Sequence, residues 1–412
     1  MRRRQFVNAL AGLAAASFTG VTRAAANVAT RATSPRQRIG VVGGGIVGAS
    51  IAWRLAEAGA DVVQFERTAP AAGATRNSFA WLNAFVADRH YQALRLASIA
   101  VYRELDQSLG LGITWGGYLN WARDAAEAAT VSANAAQLAG TAVPTRSLST
   151  AEFARLNPAI MPGPIAAALY SAIDGHLDPV QATLQFLAQA RRHGARLQCP
   201  CEVQGLDMRA GRLRAVQTSS GAVPLDRLVV AAGVDVPKVL AMAGFTLCLR
   251  HAPGFLAHSS PAPLQVRSVC DAPGGVSFKQ MADGTLVGTD SPEAPDLPVH
   301  AAIRQGASDF PDDAIRALHG NRALDKIKAF LPDARAATLD HVTLGFRPMP
   351  TDGFPVMGHV PGAPDLYVAV THSGVTLAPI LGLHVRSELL HEREVSALAP
   401  YRPGRFGQRE AG

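Results

Sequence analysis

Apolar residues open the folded part of the chain in short runs. Ile39, Val41 and Val42 make one run fit for a buried strand, and Val62 to Phe65 make another. Between them Val47, Ile51 and Leu55 recur at i, i+4 and i+8, with Ala52 and Ala56 beside them. That spacing predicts a helix with one apolar face. Gly59 is placed to end it. Further on, Leu94, Ile99, Tyr102 and Leu105 predict a helix over 88–109, and a second helix is expected over 124–138. Residues 113–121 and 165–171 read as strands, and a helix is expected over 179–193.

Three short strands follow, the last leading into Gly233. From Thr246 to Thr289 the pattern changes to short alternating strands with Pro/Gly turns such as Asp283-Gly284, which predicts an antiparallel sheet. A helix over 312–329, strands at 341–347 and 366–370, and a last helix over 374–391 complete the pattern. Pro379 falls in the first turns of that helix, where a proline is tolerated best. The fold class is therefore α/β plus α+β. A Rossmann-like nucleotide domain is expected over 36–87, 171–245 and 340–391, interrupted by an antiparallel-sheet substrate domain over 88–170 and 246–339. The Pro/Gly/Arg-rich end, 400–412, reads as a flexible tail.

The turn between the first strand and helix reads Gly43-Gly44-Gly45-Ile46-Val47-Gly48, a match to G-x-G-x-x-G. Gly43 permits the tight turn, Gly45 lets the backbone approach a pyrophosphate, and Gly48 allows close helix–strand packing. The helix N-terminus offers its amides to a phosphate. The second strand ends at Glu66, near the spacing expected of a ribose-binding acid. Together these features predict dinucleotide binding. A carboxylate there disfavours a 2′-phosphate, so NAD and FAD both stay open on these residues alone.

The first 26 residues read differently. Arg2, Arg3 and Arg4 precede a mildly apolar stretch from Phe6 to Val21, and Ala24-Ala25-Ala26 offers a cleavage site. The apolar stretch is shorter than the ~20 residues of a spanning helix. Arg3-Arg4-Gln5-Phe6-Val7 resembles a twin-arginine signal, so export to the periplasm is expected, with a cytoplasmic location if the leader does not function. Four arginines of this leader account for four of the seven net positive charges. The remaining balance, without a basic stripe interleaved with aromatics, gives no reason to expect nucleic acid. Cys199, Cys201, Cys248 and Cys270 form no C-x-x-C pair, and the twelve histidines show no ligand spacing, so no metal is expected.

Five segments in order resemble the FAD-dependent oxidoreductases of the D-amino acid oxidase, glycine oxidase and sarcosine oxidase superfamily. They are the opening loop with Glu66; Asp174-Gly175-His176-Leu177-Asp178-Pro179; Leu228 to Gly233; Gly345-Phe346-Arg347-Pro348 through Gly358; and Thr371-His372-Ser373-Gly374. The resemblance covers roughly 37–391 and implies FAD. It implies that Gly43, Gly45, Ile46, Val47 and Gly48 hold the pyrophosphate and that Glu66 and Arg67 lie at the ADP ribose. Asn77 and Ser78 would lie by the pyrophosphate and flavin, Val203 near adenine, and Ala232 and Gly233 close to the nucleotide. Ser373, Gly374, Val375 and Thr376 would meet the flavin pyrimidine edge, where a helix N-terminus stabilises the negative charge of reduced flavin.

The implied reaction is oxidation of a C–N bond in a small amine or amino acid, with hydride passing to flavin N5. The acceptor would be O2 or a quinone or other carrier. Arg347 falls at the arginine of a glycine-oxidase-like segment and would clamp a substrate carboxylate. It could equally pair with Asp352 or with backbone carbonyls. His372 and His251 are candidate polar groups of the pocket, each with a structural reading beside it. The strand Gly284 to Gly288 carries Leu286 where sarcosine oxidases carry an oxygen-activating lysine, and no cysteine closely precedes Arg347. The FAD is accordingly expected to be noncovalent. A flavoprotein that relays electrons without turning over amines is the alternative from another class.

Overall fold

Strands Arg38–Val42 and Asp61–Phe65 run parallel, with Val42 opposite Phe65, as apolar runs joined by a helical crossover should. They sit inside a six-stranded sheet. Its order is Val356–Val360, Ala363–Val370, Arg227–Val230, Arg38–Val42, Asp61–Phe65, Arg196–Gln198. All neighbours are parallel except the first pair. The computed structural model describes residues 36–263, 266–290, 303 and 312–406. The expected leader, 1–26, lies outside the described residues.

Helices Ile46–Glu57, Pro179–Arg192 and Gly374–His391 cover one face of this sheet through a core that includes Ile51, Phe186 and Leu381. The other face carries Val63, Val230 and Val368, under a three-stranded sheet and helix Val236–Ala241. Helix starts follow their capping residues. Asp88, Asp124, Asp178 and Asp312 each accept an amide of the first turn, so the helices begin one residue after the acid.

The second sheet has eight strands in the order Leu339–Phe346, Pro253–Pro261, Thr285–Thr289, Val276–Gln280, Val269–Ala272, Tyr118–Ala122, Ala167–Ser171, Thr145–Ser147. It is antiparallel except at one seam, where Val269–Ala272 runs parallel to Tyr118–Ala122. The two strands of that seam come from separate visits of the chain to the sheet, so no hairpin dictates their direction.

Three readings of the sequence are corrected. The strand expected over 113–121 is confined to Tyr118–Ala122, because Gly116 and Gly117 interrupt it; Gly117 has φ +78°, outside strand geometry. Helix Arg89–Leu109, assigned in the sequence to the substrate part, packs Tyr91, Leu94, Tyr102 and Leu105 into the helical layer of the parallel sheet. The tail is anchored as far as it is described. Tyr401 is buried, Arg402 donates to both oxygens of buried Glu388, and Arg405 pairs with Asp352 at 2.7 Å. Residues 407–412 lie outside the described residues. Among the described residues no helix is long and apolar enough to cross a membrane.

Candidate active site

The glycine turn has the backbone its sequence predicts. Gly43 has φ +109°, and a Cβ there would come within 2.5 Å of the carbonyl oxygen of Ala231. A Cβ at Gly48 would lie 2.2 Å from the carbonyl oxygen of Gly43, so the helix can approach its own turn only without one. Glu66 holds the turn: one carboxylate oxygen accepts the amide of Gly44 at 2.7 Å, the other the amide and hydroxyl of Thr68. Thr75 accepts the amide of Ile46 at 3.2 Å and faces Gly45. The irregular small-residue stretch after Glu66 therefore lies over the helix N-terminus.

These groups open onto a cavity of about 940 Å³ between the two large sheets. Of the nineteen residues expected at the cofactor or in the pocket, all but Gly48 and His251 line it. Gly48 lies behind the turn, where its missing side chain matters to packing. At one end of the cavity Arg67 pairs with Asp235 at 3.0 Å and Lys238 with Glu202 at 2.9 Å, near Val203. At the other lies the N-terminus of helix Gly374–His391.

That N-terminus is braced by helix Arg89–Leu109. Arg95, Ser98 and Tyr102 occupy one stripe of it, and each reaches the start of the last helix. Arg95 donates to the Ser373 hydroxyl, Ser98 to the carbonyl of Thr376 at 2.6 Å, and Tyr102 to the carbonyl of Val375 at 2.6 Å. Arg95 is buried, lines the cavity and also donates to Asn83 at 2.7 Å; its Nε has no partner among the described residues. Sequence reading missed Arg95 because a long cation on an apolar helix stripe reads as a snorkelling surface residue.

Arg347 lies on the cavity wall just past strand Leu339–Phe346. Its Nε and Nη2 donate to the carbonyls of Ala252 and Pro253 at 3.3 and 3.1 Å. Asp352 is engaged by Arg405, and the backbone carbonyls of Ala252 and Pro253 are among the partners of Arg347. His372 is exposed and lines this cavity, and the surrounding protein atoms, with Arg347, Arg95 and Arg250 nearby, push its pKa down to about 4, which favours the neutral ring. His251 does not line the cavity; its Nε2 lies 2.6 Å from the carbonyl oxygen of Ile303, a structural contact.

The roof is the eight-stranded sheet. Asp271 reaches the cavity from strand Val269–Ala272, with Tyr118 donating to one of its oxygens at 2.7 Å and Ser277 to the other at 2.6 Å. Burial raises the Asp271 pKa, which the two hydroxyls partly offset. Trp81 stacks on Tyr118 and donates to buried Asp174 at 2.8 Å, and burial pushes that acid up to about 7. The strand holding Leu286 has a lysine on its neighbour: Lys279 is fully buried, donates to the carbonyl of Leu177 at 3.3 Å and lies under the ring of Phe79. Burial pushes it down to about 7. Lys279 does not itself line the cavity, though Phe79 does.

All four cysteines are free thiols; Cys201 and Cys270 are buried. Among the described residues no group of three or more His, Cys, Asp or Glu is placed to hold a metal ion.

The cavity suits FAD. Its glycine floor is closed to side chains, its phosphate-facing helix end is pinned by Thr75, and a buried guanidinium stands at the second helix N-terminus. Fold and site together define a dinucleotide-dependent oxidoreductase. The family described as FAD dependent oxidoreductase (DAO) matches residues 38–387, and the chain belongs to it.

The chain is 24% identical over 381 residues to mitochondrial dimethylglycine dehydrogenase of Homo sapiens, covering 89% of this chain and 44% of that one. It thus spans less than half the length of that relative. It is 25% identical to glycine oxidase of Geobacillus kaustophilus, covering 89% and 96%. Among solved structures, L-proline dehydrogenase from P. horikoshii superposes with a TM-score of 0.79 at 21% identity, covering 90% of this chain and 98% of that one. Glycine oxidase from Geobacillus kaustophilus gives 0.78 at 24% identity, covering 91% and 100%. These likenesses bear out the mixed fold of parallel and antiparallel sheets.

Proposed function

We propose that the chain oxidises the C–N bond of a carboxylate-bearing amine, an amino acid in the broad sense, at noncovalently held FAD. The observation that carries this reading is the grouping of Arg347, Arg95 and neutral His372 where the cavity meets the last helix. When bound, FAD supplies the hydride acceptor at N5.

The chain's own residues bind, orient and shield. Arg347, aimed by two backbone carbonyls, presents a fork to the substrate carboxylate. Arg95 and the helix N-terminus favour negative charge at the pyrimidine edge. His372 offers a hydrogen bond without adding charge, and the eight-stranded sheet excludes water from above. The noncovalent reading is supported by the one cavity-lining cysteine, Cys201, which sits beside Glu202 and Val203 and not beside Ser373. Electrons pass on to O2 or to a quinone or other carrier.

Export to the periplasm by the Arg3-Arg4 leader is part of the same proposal. Lysine at both positions should trap the precursor inside the cell. Anaerobic mixing of the holoprotein with a panel of amines and amino acids tests the catalytic reading: a substrate bleaches the flavin, whereas an electron relay stays yellow throughout.

A further inference from the structure

We propose that Asp271 is the anchor for a second, remote cationic nitrogen of the substrate, so that this enzyme acts on amino acids with a basic side chain. The proposal rests on the function proposed above and narrows its substrate class.

The placement of Asp271 follows from strand alternation. Its neighbours Cys270 and Ala272 point into the apolar core with Phe278 and Trp121, so Asp271 points the other way, into the cavity. The other acids on the cavity wall are occupied. Glu202 and Asp235 have cationic partners, and Glu66 holds the glycine turn. Asp271 is held by two hydroxyls, one on each oxygen, and no cation among the described residues balances it. A carboxylate offers about four acceptor sites, so two remain for a ligand. Burying a carboxylate without a counter-charge is costly, as its raised pKa reflects, and a cation arriving there offsets that cost.

Position in the sheet decides which nitrogen it meets. Arg347 follows edge strand Leu339–Phe346, and Asp271 lies four strands further in. At the usual strand spacing that is roughly 19 Å across the sheet. The register adds to it, because Asp271 falls in line with Thr343, short of Arg347 along the edge strand. Even after both side chains reach inward, the gap exceeds the two bonds separating nitrogen from carboxyl carbon in an α-amino acid. A molecule whose carboxylate meets Arg347 therefore brings to Asp271 a nitrogen at the far end of its side chain. An ω-ammonium or a guanidinium carries the required charge at the far end of such a side chain.

The test compares ornithine with norleucine, in which a methyl group replaces the terminal ammonium at equal length. Each enantiomer is titrated anaerobically into wild-type holoprotein and into Asp271→Asn, with flavin absorbance reporting both binding and reduction. The proposal expects ornithine to bind at least tenfold more tightly than norleucine to the wild type. In Asp271→Asn that preference should fall to about twofold or less, with the norleucine Kd unchanged. A wild type that shows no preference for ornithine overturns the proposal, and needs no variant to do so. A preference that survives in Asp271→Asn with normal FAD content also overturns it. If norleucine binds and reduces the flavin at the same concentrations as ornithine, the assignment of Asp271 fails and amino-acid oxidation stands. If no amine of any kind reduces it, the underlying reading fails and this one with it.

Discussion

The hydroxyl of Tyr102 donates to the carbonyl oxygen of Val375 at 2.6 Å, across 273 positions of sequence. The reason lies in Pro379. A residue at 379 would ordinarily donate its amide to the carbonyl four positions back, and proline has no amide proton to give. Tyr102 supplies the missing donor from the neighbouring helix, and burial raises its pKa, so the phenol keeps its proton. Tyr102→Phe should cost about 1–3 kcal/mol, the usual penalty for a buried carbonyl left unpaired. Adding Pro379→Ala to the same chain should recover part of that loss. Chemical or thermal unfolding checks both, and a double variant no more stable than Tyr102→Phe would contradict the account.

Gly45 faces Thr75, whose hydroxyl would sit 3.1 Å from a Cβ at that position. Gly45→Val places a branched side chain between the helix end and any bound pyrophosphate. The variant should purify colourless yet folded, because the crowding is with one side-chain oxygen and not with backbone. Flavin content per chain is the measurement; full occupancy would show that the turn does not hold the nucleotide.

Arg347 is expected to act on the substrate and not on the fold. Arg347→Leu should leave FAD content intact and lower kcat/KM for carboxylate-bearing amines on the order of 10²-fold, while a simple amine is little affected. Arg347→Lys should restore only part, since it keeps the charge and loses the fork. Equal losses for both substrate types, or loss of flavin, would place the guanidinium in a purely structural role through the carbonyls of Ala252 and Pro253.

Lys279 gives a pH signature. Its folded pKa, about 7, lies below the ordinary lysine value, so the unfolded chain holds the proton more readily. The stability carried by the neutral amine is present at high pH and is lost as pH falls toward about 7; below that the cost is constant. Lys279→Met removes the term. Its Tm relative to wild type should rise as pH is lowered from about 10 to about 7 and then level off. A difference that does not vary with pH would count against a depressed pKa.

Much of this was legible in the sequence because it depends on near neighbours. The glycine turn, the Asp caps at 88, 124, 178 and 312, and the last helix are local patterns, and they lie where the residues predict. What escaped is polar chemistry whose partner lies far away in sequence. Arg95 and Ser98 occupy buried stripe positions because the last helix needs donors there. Asp271 reads as the outward residue of an alternating strand, yet its outward side is a cavity wall. Arg402 and Arg405 make a loose-looking tail until Glu388 and Asp352 are brought beside them.

Amine oxidation can be followed at the flavin itself by anaerobic stopped-flow absorbance. The holoprotein is mixed with amino acids and, as controls, with carboxylic acids of the same shape that lack nitrogen. Flavin bleaching should saturate with amino-acid concentration and release one equivalent of ammonia or amine per flavin reduced, with no bleaching by the controls. Flavin that is reduced readily by dithionite but stays oxidised with every amine and amino acid would contradict amine oxidation.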